Sequence, residues 1–166
     1  MSHCRVKRVR RGEYLVQPGE YCQKYYFIHQ GLIRAFVKQE KKEVTTWISM
    51  NNEMVTSIYS MLEQKPSIEY IQAIRESVLL ELDAHDLEKL YEVVPTFNTN
   101  IRKLITAYYQ DAEMRSYIAR MPSATSRCSF YLDRYPEKAL LAPKKYIASF
   151  LGIREETLSR ALKKRK

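Results

Sequence analysis

Residues 144–163 read KKYIASFLGIREETLSRALK. Apolar residues recur at helical spacing on both sides of Gly152, which predicts a short helix, a turn and a second helix. Glycine can adopt the positive φ that a tight turn between helices requires, and Ala148 is small at the point where the two helices must cross closely. This spacing is typical of a helix-turn-helix. The alternative is an ordinary helical hairpin with a solvated charged face.

The outward face of the second predicted helix carries side chains that suit the major groove of DNA. Arginine can pair with guanine through two hydrogen bonds, and glutamate can accept one from the N4 amino group of cytosine. Hydroxyl side chains suit phosphate or base contacts, and lysines at the start of the first helix can contact the DNA backbone. The residues predicted to bind DNA are Lys144, Lys145, Arg154, Glu155, Glu156, Thr157, Ser159, Arg160, Lys163 and Lys164.

The net charge of the chain is +9. Most of the excess lies in the first eleven residues and in residues 142–166, whereas the middle is close to balanced. Such a distribution indicates an anion-binding element on a nearly neutral body. The anionic partner is nucleic acid, a membrane surface or an acidic protein, unless the chain is merely a basic cytosolic protein.

Several functional classes are disfavoured by composition. The three cysteines are far apart and form no C-x-x-C pair, so we expect reduced thiols and no metal site or disulfide framework. We find neither a signal peptide nor a stretch of about 18 apolar residues, and we expect a cytoplasmic protein with no membrane contact. The histidines are scattered and no glycine-rich phosphate loop exists, so we expect no enzymatic activity.

Short β-type runs separated by turn signals extend to about residue 82. Evenly spaced short strands of this kind predict a small antiparallel roll or barrel. A short apolar segment at 58–62 is expected to form a turn of helix. The predicted strands cover residues 13–16, 25–28, 32–37, 43–50, 67–74 and 77–82.

The periodicity becomes helical after Asp83, which is a plausible N-cap. Proline residues bound a long predicted helix, because proline is tolerated at a helix start and breaks a helix interior. The predicted helices cover residues 84–91, the long segment from Pro95 to Pro122, and 126–134. The predicted domains are a sensor roll at 1–94, a long helix at 95–121 and a helix-turn-helix domain at 122–166.

Apolar residues recur every 3.5 positions along the long helix, as in a coiled coil. The stripe fades where Asp111 and Arg115 occupy the next positions. It either packs against the roll or forms a homodimer, and we favour the homodimer because a roll covers its own core. The residues predicted to form the dimer contact are Phe97, Ile101, Leu104, Ile105 and Tyr108.

The segment Ile147–Arg160 resembles the helix-turn-helix of the Crp/Fnr family of bacterial transcription regulators, whose recognition helix reads roughly R-E-T-V/L-S/G-R. Residues 12–20 and 26–34 are similar to the opening strands of that family's cyclic-nucleotide-binding domain, and the long helix resembles its dimerisation helix. The resemblance covers nearly the whole chain. It implies an α+β fold with an antiparallel β-roll (a double-stranded β-helix, cyclic-nucleotide-binding-like), a long dimerisation helix and a C-terminal winged helix-turn-helix.

The resemblance also implies a function, that of a homodimeric transcription regulator that binds double-stranded DNA sequence-specifically, with RNA polymerase as a further partner. Glu156 and Arg160 fall on the family's base-reading glutamate and second arginine. The family's first arginine falls on Glu155 here, and Arg154 lies one residue earlier. The alternative is a sensor roll that acts through protein partners without specific DNA binding.

Two departures from the family pattern matter. Ser57 stands where the ribose-binding glutamate is expected, and Pro66 and Ser67 stand in place of the phosphate-binding arginine. A buried cyclic phosphate without a charge-assisted partner is poorly held, so we expect that cyclic AMP does not bind in the usual mode and that no cofactor is present. The pocket is either empty or holds a different small ligand near Thr45, Trp47, Ser57, Tyr59, Ser67 and Tyr70.

The second departure concerns the two ends of the chain. We expect the wing hairpin that often follows the recognition helix to be missing, with the basic residues 163–166 in its place. We also expect the roll to lack an N-terminal helix and its first strand.

Overall fold

The computed structural model describes residues 4–164. Residues 1–3 and 165–166 lie outside this range, and so do Arg165 and Lys166 of the predicted basic end. The chain forms two compact units, Met1–Asp86 and Leu87–Lys166. The first is built mainly from strands and the second from helices.

The strands of the first unit form the antiparallel roll that the sequence predicts. In residues 4–164 they make two four-stranded sheets, with strand orders β1-β8-β3-β6 and β2-β7-β4-β5, and every pairing is antiparallel. Helix α1 (Ile58–Glu63) lies between β6 and β7. The strands are β1 (Cys4–Val9), β2 (Tyr14–Val16), β3 (Lys24–Gln30), β4 (Leu32–Gln39), β5 (Lys42–Met50), β6 (Met54–Val55), β7 (Tyr70–Ala73) and β8 (Ser77–Asp83).

Both sheets contribute one face to a shared apolar core. Ile33 and Ala35 of β4 lie opposite Ala73 and Ile71 of β7, and all four are buried in one cluster with Leu79 of β8. A slip of one residue would turn these side chains to the other face of the sheet. Burial of this cluster therefore specifies the strand register.

The expectation that the roll lacks its first strand is wrong. Residues Cys4–Val9 form β1 and pair with β8. Val9 is buried in the core, and Lys7 lies 3.8 Å from the carboxylate of Glu81. The strand was missed because its basic residues obscure the alternation of exposed and buried positions that ends at the buried Val9.

Two other boundaries differ from the prediction. The strand expected at 67–74 is shorter, because Ser67 Oγ accepts a hydrogen bond from the amide of Glu69 at 3.2 Å and forms a turn before β7. Asp83 is the last residue of β8, so the strand continues directly into the following helix.

The C-terminal part confirms the predicted change from strands to helices after Asp83. The long helix α3 begins at Pro95 and ends one residue before Met121. Helix α4 begins two residues earlier than predicted, because the Oγ of Ser123 caps it by accepting from the amide of Ser126 at 2.9 Å. Helix α5 was not predicted. The helices are α2 (Ala84–Val93), α3 (Pro95–Arg120), α4 (Ala124–Arg134), α5 (Pro136–Leu141), α6 (Lys144–Leu151) and α7 (Glu155–Lys163).

Within residues 4–164, no helix combines the length and the apolarity that a membrane crossing requires.

Gly31 makes the tight connection between β3 and β4. Its φ is +137°, and a Cβ at this position would lie 2.0 Å from Ser77 Oγ. That hydroxyl is fixed, because it accepts from the amide of Leu32 at 3.3 Å and donates to the carbonyl of Arg75 at 2.9 Å. A side chain at position 31 must therefore disrupt the junction of two strands.

We expect Gly31→Ala to lower the free energy of unfolding of the roll by about 3 kcal/mol, from backbone strain and overpacking together. Gly19→Ala is the matched control, because Gly19 also has a positive φ (+92°) but nothing lies within 4 Å of its added Cβ. Urea unfolding followed by the fluorescence of Trp47, the one tryptophan of the sequence, measures both. Equal losses in the two variants would contradict this account.

Candidate functional site

The turn between α6 and α7 has the geometry that the sequence predicts. Gly152 has φ 61° and ψ 42°, in the left-handed region. Its amide donates to the carbonyl of Ser149 at 3.2 Å, and the amide of Ile153 donates to the carbonyl of Ala148 at 3.0 Å. These two hydrogen bonds form a Schellman motif, which terminates α6 and sets the direction in which the chain enters α7.

Apolar packing fixes which face of α7 points inward. Leu158 has 0% exposure, and Ile147, Ala148 and Leu151 of α6 are buried as well. Helix α4 packs against both α6 and α7. Because Leu158 is held inside this three-helix packing, the opposite face of α7 is turned to solvent.

That outward surface, here called the α7 outer face, consists of exposed charged side chains. Glu155 and Glu156 lie in the first turn and Arg160 and Lys163 in the last, which is the order that the helix dipole favours. Among residues 4–164, no ion pair engages either glutamate. Glu156, Arg160 and Lys163 lie opposite Leu158, and the α7 outer face as used here also includes Arg154 and Glu155, which are exposed at the start of the helix.

The remaining residues predicted to bind DNA lie around this face to different degrees. Lys144, at the start of α6, reaches α7, since its Nζ donates to Ser159 Oγ at 3.4 Å. Lys145 is exposed and its Nζ lies 4.7 Å from the ring centre of Tyr146. Thr157 and Ser159 are half-buried, whereas Lys164 is exposed directly after α7.

Two tyrosines that were not predicted from the sequence, Tyr131 and Tyr135, connect the helix-turn-helix to α3. The ring of Tyr131 on α4 lies 5.5 Å from that of Phe150 on α6 and 5.2 Å from that of Tyr135. Tyr135 OH donates to Asp111 Oδ1 on α3 at 2.8 Å. Burial and the hydrogen bond to Asp111 raise the pKa of Tyr135 far above its ordinary value, so the phenol remains protonated and acts as the donor.

The long helix α3 presents two stripes. Four members of the predicted dimer contact, Phe97, Ile101, Leu104 and Tyr108, are half-buried within the single chain. The fifth, Ile105, is 59% exposed. Tyr109, four residues further along and not predicted, is 73% exposed. Ile105 and Tyr109 therefore form an exposed apolar surface beside the half-buried stripe.

Asp111 and Arg115, at which the predicted stripe fades, have a structural role. They form an ion pair with a distance of 3.3 Å between Arg115 Nε and Asp111 Oδ2. Because Asp111 also accepts the hydrogen bond from Tyr135, the stripe becomes polar where α3 is bound to the helices that follow it.

The residues predicted to line a ligand pocket do not converge on one cavity. Trp47 pairs with Ala35 and packs against the core. Thr45 and Tyr70 instead pair with Phe36, on the opposite face of the sheet. A β-bulge in β5 between these pairs separates residues that strict alternation would place on one face. Tyr59 of α1 is 41% exposed.

Ser57 and Ser67 do come together, with their Oγ atoms 3.1 Å apart. They belong to a group of buried hydroxyls around α1, here called the hydroxyl cluster and formed by Thr56, Ser57, Ser60 and Ser67.

Each of these hydroxyls is bonded to the protein itself. Ser60 Oγ accepts from the amide of Cys22 at 2.9 Å and donates to the carbonyl of Lys65 at 2.7 Å. Thr56 Oγ1 donates to the carbonyl of Lys24 at 2.9 Å, and Ser67 Oγ donates to the carbonyl of Glu69 at 2.9 Å. These hydrogen bonds hold the segment between β6 and β7 in place.

An open cleft of about 670 Å³ lies beside α1. Ser60 and Met61 of α1 and Gln64, which follows it, line one part of this cleft, and Tyr21 and His85 line others. The cleft includes none of the six residues predicted for the pocket. Across residues 4–164, no three His, Cys, Asp or Glu side chains are grouped so that they could hold a metal ion.

Comparison with known proteins gives a family match and a set of similar structures. Residues 6–93 match the model of the cyclic nucleotide-binding domain. No curated protein is a significant match to the sequence.

Three solved structures superimpose on nearly the entire chain. FixK2 from Bradyrhizobium japonicum has a TM-score of 0.79 at 18% identity, with 97% of this chain and 83% of that one covered. A CooA mutant from Carboxydothermus hydrogenoformans has a TM-score of 0.78 at 18% identity, with 98% and 76% covered. The global regulator CLP from Xanthomonas campestris has a TM-score of 0.74 at 16% identity, with 98% and 86% covered.

Proposed function

Since the chain belongs to the cyclic nucleotide-binding domain family and has the fold of Crp/Fnr regulators, we propose that it is a sequence-specific DNA-binding transcription regulator. In this proposal it acts in the cytoplasm as a homodimer, and not as an enzyme. RNA polymerase is a further partner in this proposal.

One observation carries the proposal, namely that burial of Leu158 turns the α7 outer face to solvent. A helix that is anchored by its apolar side and charged on the other is the arrangement with which helix-turn-helix proteins enter the major groove. The concentration of lysine and arginine in the same segment supplies attraction to phosphates.

Glu156 and Arg160 are the residues that we propose to read bases. They stand one helical turn apart on the α7 outer face, where neither is engaged in an ion pair among the described residues. Arg160 can donate two hydrogen bonds to guanine O6 and N7, and Glu156 can accept from cytosine N4. Arg154 and Glu155, at the helix start, are placed to contact the next base pair or its phosphate.

The surrounding residues are proposed to hold the DNA backbone. Lys144 and Lys145 at the start of α6 and Lys163 and Lys164 at the end of α7 are exposed. Thr157 and Ser159 are half-buried hydroxyl donors between them. Contacts of this kind set the position of the protein on DNA and make its affinity fall steeply with salt concentration.

The dimer is proposed to form along α3. The exposed Ile105 and Tyr109 join the half-buried stripe of Phe97, Ile101, Leu104 and Tyr108, and an exposed apolar stripe of this length favours association with a second copy. Two copies would place two recognition helices in major grooves about one helical turn, roughly 34 Å, apart.

The sensor roll is proposed not to bind cyclic AMP in the usual mode. The hydroxyl cluster occupies the segment that would hold the phosphate, with its hydrogen bonds satisfied internally. CLP, which has the same fold, is described as responsive to c-di-GMP, so this fold does not by itself imply cyclic AMP. The alternative is a different small effector that binds beside Ser57 and Ser67, the two predicted pocket residues that lie together.

Selection of bound sequences from random double-stranded DNA tests the main proposal. We expect the wild-type protein to enrich a pseudo-palindromic site. Glu156→Ala and Arg160→Ala should each relax the preference at one base pair of every half-site, at a cost of about 1–3 kcal/mol there. Lys164→Ala, the control, should weaken binding without altering the selected sequence.

Failure to enrich any palindrome would refute specific DNA binding. If the purified protein instead formed a stable complex with a protein partner and ignored DNA, the alternative of a sensor roll acting through protein contacts would hold.

Isothermal titration with cyclic AMP and with cyclic GMP tests the proposed state of the roll. We expect no binding at micromolar concentrations of nucleotide, because Pro66 and Ser67 stand where the phosphate-binding arginine of the family is expected. Binding with a low-micromolar dissociation constant would overturn this part of the proposal.

A further inference from the structure

The link between α3 and α4 is only three residues long, Met121 to Ser123. Short links between helices are where rigid parts of a protein rotate relative to one another. One side-chain contact spans the link locally, since Arg127 Nη1 on α4 donates to the carbonyl of Met121 at 2.8 Å. This contact lies next to the link itself, so it restrains the angle between α3 and α4 only weakly.

A second contact joins α3 to the end of α4 at a position farther from the link. Tyr135 OH, at the end of α4, donates to Asp111 Oδ1 on α3 at 2.8 Å, 24 residues back along the chain. The other oxygen of Asp111 is paired with Arg115 Nε at 3.3 Å. The acceptor is therefore a carboxylate held in place through both oxygens, which makes the hydrogen bond charge-assisted and directional.

Beyond Tyr135 the contacts continue to the helix-turn-helix. The ring of Tyr135 packs beside Tyr131, and Tyr131 packs beside Phe150 of α6. Tyr131 and Tyr135 are buried. The packed rings of Phe150, Tyr131 and Tyr135 thus join α6 to the hydrogen bond between Tyr135 and α3.

We propose that the Tyr135–Asp111 hydrogen bond is a positioning contact that fixes the angle between α3 and the helix-turn-helix. The inference rests on the proposed function, a dimer formed along α3 that binds two half-sites. Both recognition helices must reach their grooves at the same time. Rotational freedom at the link between α3 and α4 therefore weakens binding of the second half-site and leaves binding of the first unaffected. Tyr135 and Asp111 act through α6 and α7, and neither contacts DNA.

Tyr135→Phe tests the proposal, because it removes the hydroxyl and retains the ring that packs on Tyr131. Tyr117→Phe is the matched control. It removes a hydroxyl that donates to Glu113 at 3.2 Å within α3 itself and does not cross the link.

Affinity is measured for a complete two-half-site DNA and for a DNA with one half-site. We expect Tyr135→Phe to lower affinity for the complete site about tenfold, the scale of one hydrogen bond to a charged group, with affinity for the single half-site unchanged. Tyr117→Phe should match the wild type on both DNAs. An equal loss on both DNAs by Tyr135→Phe, or no loss on either, would overturn the proposal.

A second measurement needs no DNA. Spin labels at Lys103→Cys on α3 and Lys163→Cys on α7, both exposed positions, report the distance between the two helices within one chain. Cys4→Ser removes the exposed native thiol, since Cys22 and Cys128 are buried. Excess unlabelled protein keeps distances between chains out of the signal.

We expect a narrow distance distribution in the labelled background and in Tyr117→Phe, and a broadened or shifted one in Tyr135→Phe. An unchanged distribution in Tyr135→Phe would overturn the positioning role. If the protein bound no DNA at all, the proposed function would fail, and the spin-label distances would still decide whether this hydrogen bond sets the helix angle.

Discussion

The burial of Leu158 determines how the C-terminal helices can function. A fully buried leucine contributes about 2–3 kcal/mol. Rotating α7 so that its charged side chains pointed inward would lose this contribution and would add the cost of burying charge. Gly152 makes that burial possible, because its left-handed conformation bends the chain so that α7 returns across α6. With one face of α7 fixed inside, Glu156 and Arg160 have no position except the solvent-facing side. The proposed chemistry of the site is therefore a consequence of apolar packing.

The roll follows a different physical rule, that of satisfying buried polar groups. A cassette built for a cyclic phosphate needs a cationic partner for a buried anion. Here Ser57 and Ser67 bond to each other, and Ser60 bonds to backbone groups on both sides. The buried hydroxyls of the segment between β6 and β7 therefore find their hydrogen-bond partners within the protein.

Local patterns in the sequence were sufficient to predict the helices of the candidate site. Gly152 and the apolar spacing around it predicted α6 and α7, and Pro95 and Pro122 bounded α3. The strand β1 was missed because its arginines hide the alternation that ends at Val9. Thr45 and Trp47 were assigned to one pocket, since nothing local reveals the β-bulge that separates them. The contact between Tyr135 and Asp111 joins positions 24 residues apart, and sequence spacing carries no signal for such a pair.

The central claim is that α7 reads DNA in the major groove as one of a symmetrical pair. Dimethyl sulfate methylates guanine N7, which lies in the major groove, so its protection pattern on a site selected by the protein tests both parts of the claim together. We expect two protected guanines, one in each half-site and about one helical turn apart, with both protections lost in Arg160→Ala. Protection in a single groove, or none in the presence of saturating protein, would contradict it.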